Sequence, residues 1–87
     1  MKTGIILYIV GDEPVTQTTN TEHLLNQLAQ DAERIEVISR NTGHFDVSDA
    51  WWFLTAKGMQ RILCVLAEYT KTGDLRLTGR SLQLCGF

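Results

Sequence analysis

The stretch Gly58–Gly79, GMQRILCVLAEYTKTGDLRLTG, decides the fold. Within it, Arg61–Tyr69 is apolar on both faces of an extended chain. Ile62, Cys64 and Leu66 alternate with Leu63, Val65, Ala67 and Tyr69. A strand without a wet face belongs in the middle of a sheet. Lys71-Thr72-Gly73-Asp74 then has the composition of a hairpin turn. Leu75-Arg76-Leu77-Thr78 alternates strictly, as an edge strand with one solvated face does. Beyond it the apolar phase flips, from the odd positions Leu75 and Leu77 to the even positions Leu82 and Leu84. Gly79 at the flip accommodates a bulge, a turn, or the entry to a short final helix.

Upstream, Ile5–Val10 is a second strand with two apolar faces: Ile5, Leu7 and Ile9 against Ile6, Tyr8 and Val10. Pro14 in Gly11-Asp12-Glu13-Pro14 ends it, because proline lacks a ladder donor. A helix is predicted from about Asn20 to Asp31, opened by the capping-box pair Thr19 and Glu22. Its apolar stripe is Leu24, Leu25, Leu28 and Ala32. Arg34–Arg40 reads as an edge strand, with Ile35 and Val37 on one face and Glu36, Ile38 and Arg40 on the other. A second helix follows the Gly43 turn. Ser48 is its expected N-cap, Asp49 lies near the positive end of its dipole, and Val47 and Trp52 have the spacing of a hydrophobic staple. Gly58 terminates it.

The order is therefore strand–helix–strand–helix–strand–strand in one domain spanning 1–87. The two doubly apolar strands take the centre and the two amphipathic ones the edges. The first two strands pair in parallel through a right-handed crossover, and the last two form an antiparallel hairpin. The expectation is a mixed α/β sheet of order 2-1-3-4 with two helices.

That arrangement, carried by Gly58–Leu66 and by Gly73-Asp74-Leu75-Arg76 with Gly79, resembles the thioredoxin-like fold with a truncated C-terminus. The likeness extends over roughly Ile5 to Gly79. Leu7–Pro14, LYIVGDEP, is similar to the start of the thioredoxin-like circadian-clock family KaiB. The resemblance places the redox turn at Pro14-Val15-Thr16-Gln17, which holds no thiol, although dithiol exchange needs a poised thiolate. It places the cis-proline position at Leu63, where a cis bond costs about 3 kcal/mol, so a trans peptide is expected. The expected activity is accordingly binding, not dithiol catalysis.

Composition narrows the partners. The chain is 44% hydrophobic and 21% charged with a net charge of −2, which is ordinary folded material. Its eight Lys and Arg are scattered singly, which weighs against a nucleic-acid surface. The longest apolar run, Ile5–Val10, is too short to cross a membrane. Met-Lys-Thr-Gly before it imitates a signal peptide only faintly, and the expected location is the cytoplasm. Cys64 and Cys85, without close spacing, cannot make a zinc site by themselves, His23 and His44 lie far apart in sequence, and no cofactor is implied. A disulfide between them would need an oxidising compartment.

Several residues invite chemistry. Cys64 reads first as a small buried hydrophobe and second as a single reactive thiol, with Arg61 the nearest cation in sequence. His44 beside Asp46 is the raw material of a general base without a nucleophile, and His23 beside Glu22 sits in a helix turn. Asp12-Glu13 could meet a cation. The Gly11–Thr21 turn, rich in hydroxyls before a helix N-terminus, could hold an anion or nucleotide. Trp51-Trp52-Phe53 is the strongest binding signal. Three consecutive aromatics span roughly 300° of a helix at ~100° per residue, so they cannot all face one sheet. The staple assigns Trp52 to the core and leaves Trp51 or Phe53 for a contact surface, unless all three wrap a thin core. The partner expected is another protein or a second copy, reached through Trp51 and Phe53 or through the edge strand around Leu75 and Leu77.

Overall fold

Alternation along each strand sorts the side chains into two apolar layers, and a helix covers each. The structure, a computed structural model, describes the backbone of residues 2–11, 20–39 and 43–84. The elements are β1 (Thr3–Val10), α1 (Asn20–Ala29), β2 (Arg34–Ile38), α2 (Val47–Ala56), β3 (Arg61–Tyr69) and β4 (Leu75–Leu84). They form one mixed sheet of order β2-β1-β3-β4. β1 pairs in parallel with both β2 and β3, and β3 pairs antiparallel with β4. The doubly apolar strands are central and the amphipathic ones are edges, as expected. All described peptide bonds are trans, Leu63 included.

On one face, Leu7, Ile9, Ala67 and Leu75 pack with Leu24 of α1, flanked by Leu25, Leu28, Ile35 and Val37. On the other, Ile6, Ile38, Ile62 and Cys64 pack with Ala50 and Leu54 of α2 and with Met59. No charged or polar residue is buried among those described, so apolar burial holds both layers. The two layers meet only through the backbone of the sheet.

α1 stops at Ala29, two residues before the expected Asp31. The amides of Gln30 and Asp31 bond back to Gln27 and Leu28, a tightened last turn that leaves Ala32 outside the helix. β2 ends at Ile38, and Arg40 and Thr19 lie outside the described residues.

α2 begins differently from the expectation. Its N-cap is Asp46, not Ser48: the Asp46 carboxylate accepts from the Asp49 amide at 3.1 Å, and Asp49 accepts from the Asp46 amide at 3.0 Å. A carboxylate on both sides of this reciprocal box satisfies two end amides and suits the positive helix terminus. Moving the cap by two residues abolishes the Val47–Trp52 staple. The face toward the sheet is Val47, Ala50, Trp51 and Leu54, with helical i, i+3, i+4, i+7 spacing. Trp52 is thereby turned outward, correcting its assignment to the core. At the other end, Gly58 at φ +88° lets the Met59 and Gly58 amides reach the Leu54 and Thr55 carbonyls, a Schellman closure.

The hairpin after β3 spans Thr70–Asp74. Gly73 at φ +87° donates to the Thr70 carbonyl, and Thr70 donates its own amide to Asp74. β4 does not stop at Thr78 but runs on to Leu84. Of the alternatives at Gly79, the strand takes the bulge: Ala67 pairs with Leu77 but Val65 with Ser81, so Leu66 stands against Thr78–Arg80. Past it, Leu82 registers with Cys64 and Leu84 with Ile62.

Candidate functional site

Among the described residues, the most exposed large aromatic is Trp52, 57% accessible. It projects from the side of α2 opposite Ala50 and Leu54. Its ring meets Trp51 edge-on, with centroids 4.9 Å apart and planes at 82°. Trp51 itself is half-buried and packs against the core below, so one tryptophan anchors the other. Phe53, on the β2 flank of the helix, is also exposed. The Arg34 guanidinium lies 5.3 Å and the Lys57 ammonium 5.5 Å from its ring centroid. Both are within cation–π range. The helix therefore presents two indoles and a phenyl framed by two cations. Asp46 and Asp49, the acidic side chains at its start, bind each other's amides.

A second apolar area lies on the α2 side of the sheet, toward the carboxyl ends of the strands. The expectation that β1 is covered on both faces fails there. Tyr8 is 37% and Val10 48% exposed, outside the α2-side cluster, which takes in Ile6 of β1 and Ile38 of β2. Beside them, Arg76 donates to Glu68 at 2.7 Å, and the Thr78 hydroxyl donates to the Leu66 carbonyl at 3.3 Å. β4 is the outer strand. Leu75 is buried in the α1-side core and Leu77 is exposed, so at Leu75 only the backbone belongs to the edge.

The chemical candidates fare differently. Cys64 is 6% exposed, and burial pushes its thiol pKa up from the ordinary range. A reactive thiolate needs the opposite shift. Arg61 begins the same strand, but Cys64 and Arg61 alternate to opposite faces. Alkylation of Cys64, followed by peptide mass mapping, is expected to be at least about 10-fold slower in native than in urea-unfolded protein. Comparable rates would return the single-thiol reading to contention.

His23 and His44 are exposed, and the Asp46 carboxylate serves the helix cap, so no dyad orients His44. Asp12, Glu13 and the anion-binding turn from Gly11 onward fall almost wholly outside the described residues. Among those described, no three His, Cys, Asp or Glu side chains gather as a metal site, and no helix is long and apolar enough to cross a membrane. A hollow of about 240 Å³ lies between the start of β1 and the α1–β2 connection, lined by Thr3, Gln30, Asp31, Ala32 and Glu33. Its lining carries two carboxylates, Asp31 and Glu33, and the Thr3 hydroxyl.

The molecule is thus defined as a small mixed α/β domain whose most developed surface is aromatic, with no assembled catalytic group among the described residues. Compared with known proteins, the chain matches no family model, no curated protein and no solved structure.

Trp51 and Phe53 were legible as surface candidates, whereas Trp52, Arg34 and Lys57 were not. Asp46-x-x-Asp49 and the Val47/Ala50/Trp51/Leu54 spacing carry the signal that exposes Trp52. No sequence signal brings Arg34 to Phe53, since that contact depends on where α2 crosses β2.

Proposed function

We propose that the protein is a non-catalytic, thioredoxin-like protein-binding module that meets its partner through the outer face of α2. The observation carrying this reading is Trp52. An indole more than half exposed, with a half-buried tryptophan braced against it, is a rigid apolar anchor of the kind that concentrates binding energy. The order β2-β1-β3-β4 with helices on opposite faces supports the thioredoxin-like assignment, and the missing redox thiols support binding over catalysis. A reducing, cytoplasmic location suits the unpaired thiol of Cys64.

A photo-crosslinking residue in place of Trp52 tests the reading in cells. Discrete adducts are expected from position 52, and none from the same probe in place of the exposed Asn26 on α1. Indistinguishable adducts at both positions, or none at either, would remove the assignment of α2 as the contact.

A further inference from the structure

We infer that the partner segment taken by the α2 face is acidic, with large apolar side chains among its carboxylates. The inference rests on the reading of α2 as the binding surface and adds the chemistry of what it binds.

The observation is the distribution of charge around the aromatics. Arg34 and Lys57 are exposed, and neither makes an ion pair or hydrogen bond with any described carboxylate; both lie over the Phe53 ring. Glu36 shares the strand face of Arg34 but forms no bond with it. Lys2 stands at the same end of the molecule, where its carbonyl accepts the Gln60 and Arg61 amides just beyond α2. Four of the eight basic residues, Lys2, Arg34, Lys57 and Arg61, therefore gather where α2 ends, although alternation sends Arg61 to the α1 side. Asp31 and Glu33 line the hollow near Thr3, and Glu33 precedes β2 on the α1-side alternation. At the opposite end of α2, Asp46 and Asp49 are held by the cap. From Trp52 to Lys57 the outer surface is thus aromatic and positive.

Cations stacked on a phenyl keep their outward N–H groups for an incoming acceptor, and such potentials select partners of opposite sign. A second copy fits poorly. A two-fold contact centred on Phe53 would bring Arg34 and Lys57 against their own equivalents. A nucleic acid fits poorly as well. Only Arg34 and Lys57 frame the aromatic face, too few to track a phosphate backbone, and the chain carries a net −2, so little counterion release is available.

Selection of random displayed peptides on the intact chain tests this. The expected peptides are rich in Asp and Glu with interspersed Leu, Phe or Trp. Their binding should weaken in high salt, fall about 10-fold in Arg34→Glu/Lys57→Glu, and be lost in Trp52→Ala. All three positions are exposed, and thermal melts check that the variants remain folded. Arg34→Gln/Lys57→Gln, which removes charge without reversing it, should give an intermediate loss. Neutral or basic peptides that need Trp52 but ignore the charge reversal would overturn the acidic partner and leave the binding face standing. Peptides indifferent to both changes would overturn both. An empty selection, or tighter binding of a single-stranded oligonucleotide to the same residues, would also overturn the acidic partner.

Discussion

Leu54→Ala is expected to cost about 2–5 kcal/mol, the range for truncating a buried leucine that its neighbours cannot fully replace. Leu54 is wholly buried at the centre of the α2-side layer. Its carbonyl also closes the helix, accepting from both Lys57 and Met59. The substitution leaves that backbone closure in place and isolates the packing. A domain of this length has a total stability of about 4–13 kcal/mol, from 0.05–0.15 kcal/mol per residue. One side chain therefore carries a large share. Urea denaturation measures it, with a lower midpoint at unchanged slope. A loss under about 1 kcal/mol would mean that Leu54 does not fill the space assigned to it.

Gly4→Ala is expected to cost about 1–3 kcal/mol by overpacking. A Cβ built on Gly4 would stand 3.1 Å from Leu54 Cδ1, 3.1 Å from Met59 Cγ and 3.2 Å from Leu54 Cδ2. The glycine is there because the end of α2 rests on the backbone of β1, not because of its dihedral angles. In the Leu54→Ala background the methyl groups causing two of those contacts are gone. There the added Cβ fills part of the cavity, and alanine also suits a strand interior better than glycine. The sign should reverse, so that the double variant is more stable than Leu54→Ala alone. The double-mutant cycle should give a coupling of at least about 1 kcal/mol. Additive behaviour would mean that the helix does not close down on Gly4.

The sheet was legible because strand position can be read from polarity along the chain. Ile5–Val10 and Arg61–Tyr69 lack a polar face and took the centre, while Ile35/Val37 and Leu75/Leu77 alternate and took the edges. The α2 surface was less legible, for a local reason. Ser48 and Asp46 both have capping side chains, and choosing Asp46 brings Val47 into the helix as the first residue of the stripe Val47, Ala50, Trp51 and Leu54. The reciprocal bonds of Asp46 and Asp49 fix the start, and the packing of that stripe on the sheet leaves Trp52 in solvent contact. The open upper half of the α2-side sheet was not legible either. Tyr8 and Val10 look like core in a strand with two apolar faces, and their exposure follows from where α2 crosses the sheet, packing on Ile6 and Ile38. The Arg34–Phe53–Lys57 arrangement depends on the same crossing and leaves no local trace.

The step in register opposite Leu66 also governs how the protein behaves when concentrated. The outer strand is ten residues long, and a straight row of unsatisfied amides and carbonyls of that length would template the same strand of another copy, then another. With Thr78–Arg80 bowed out against a single residue, the row breaks into two short runs that no flat neighbour can follow together. The two extra residues that look like an irregularity of one hairpin belong to the devices by which an outer strand avoids templating a neighbour.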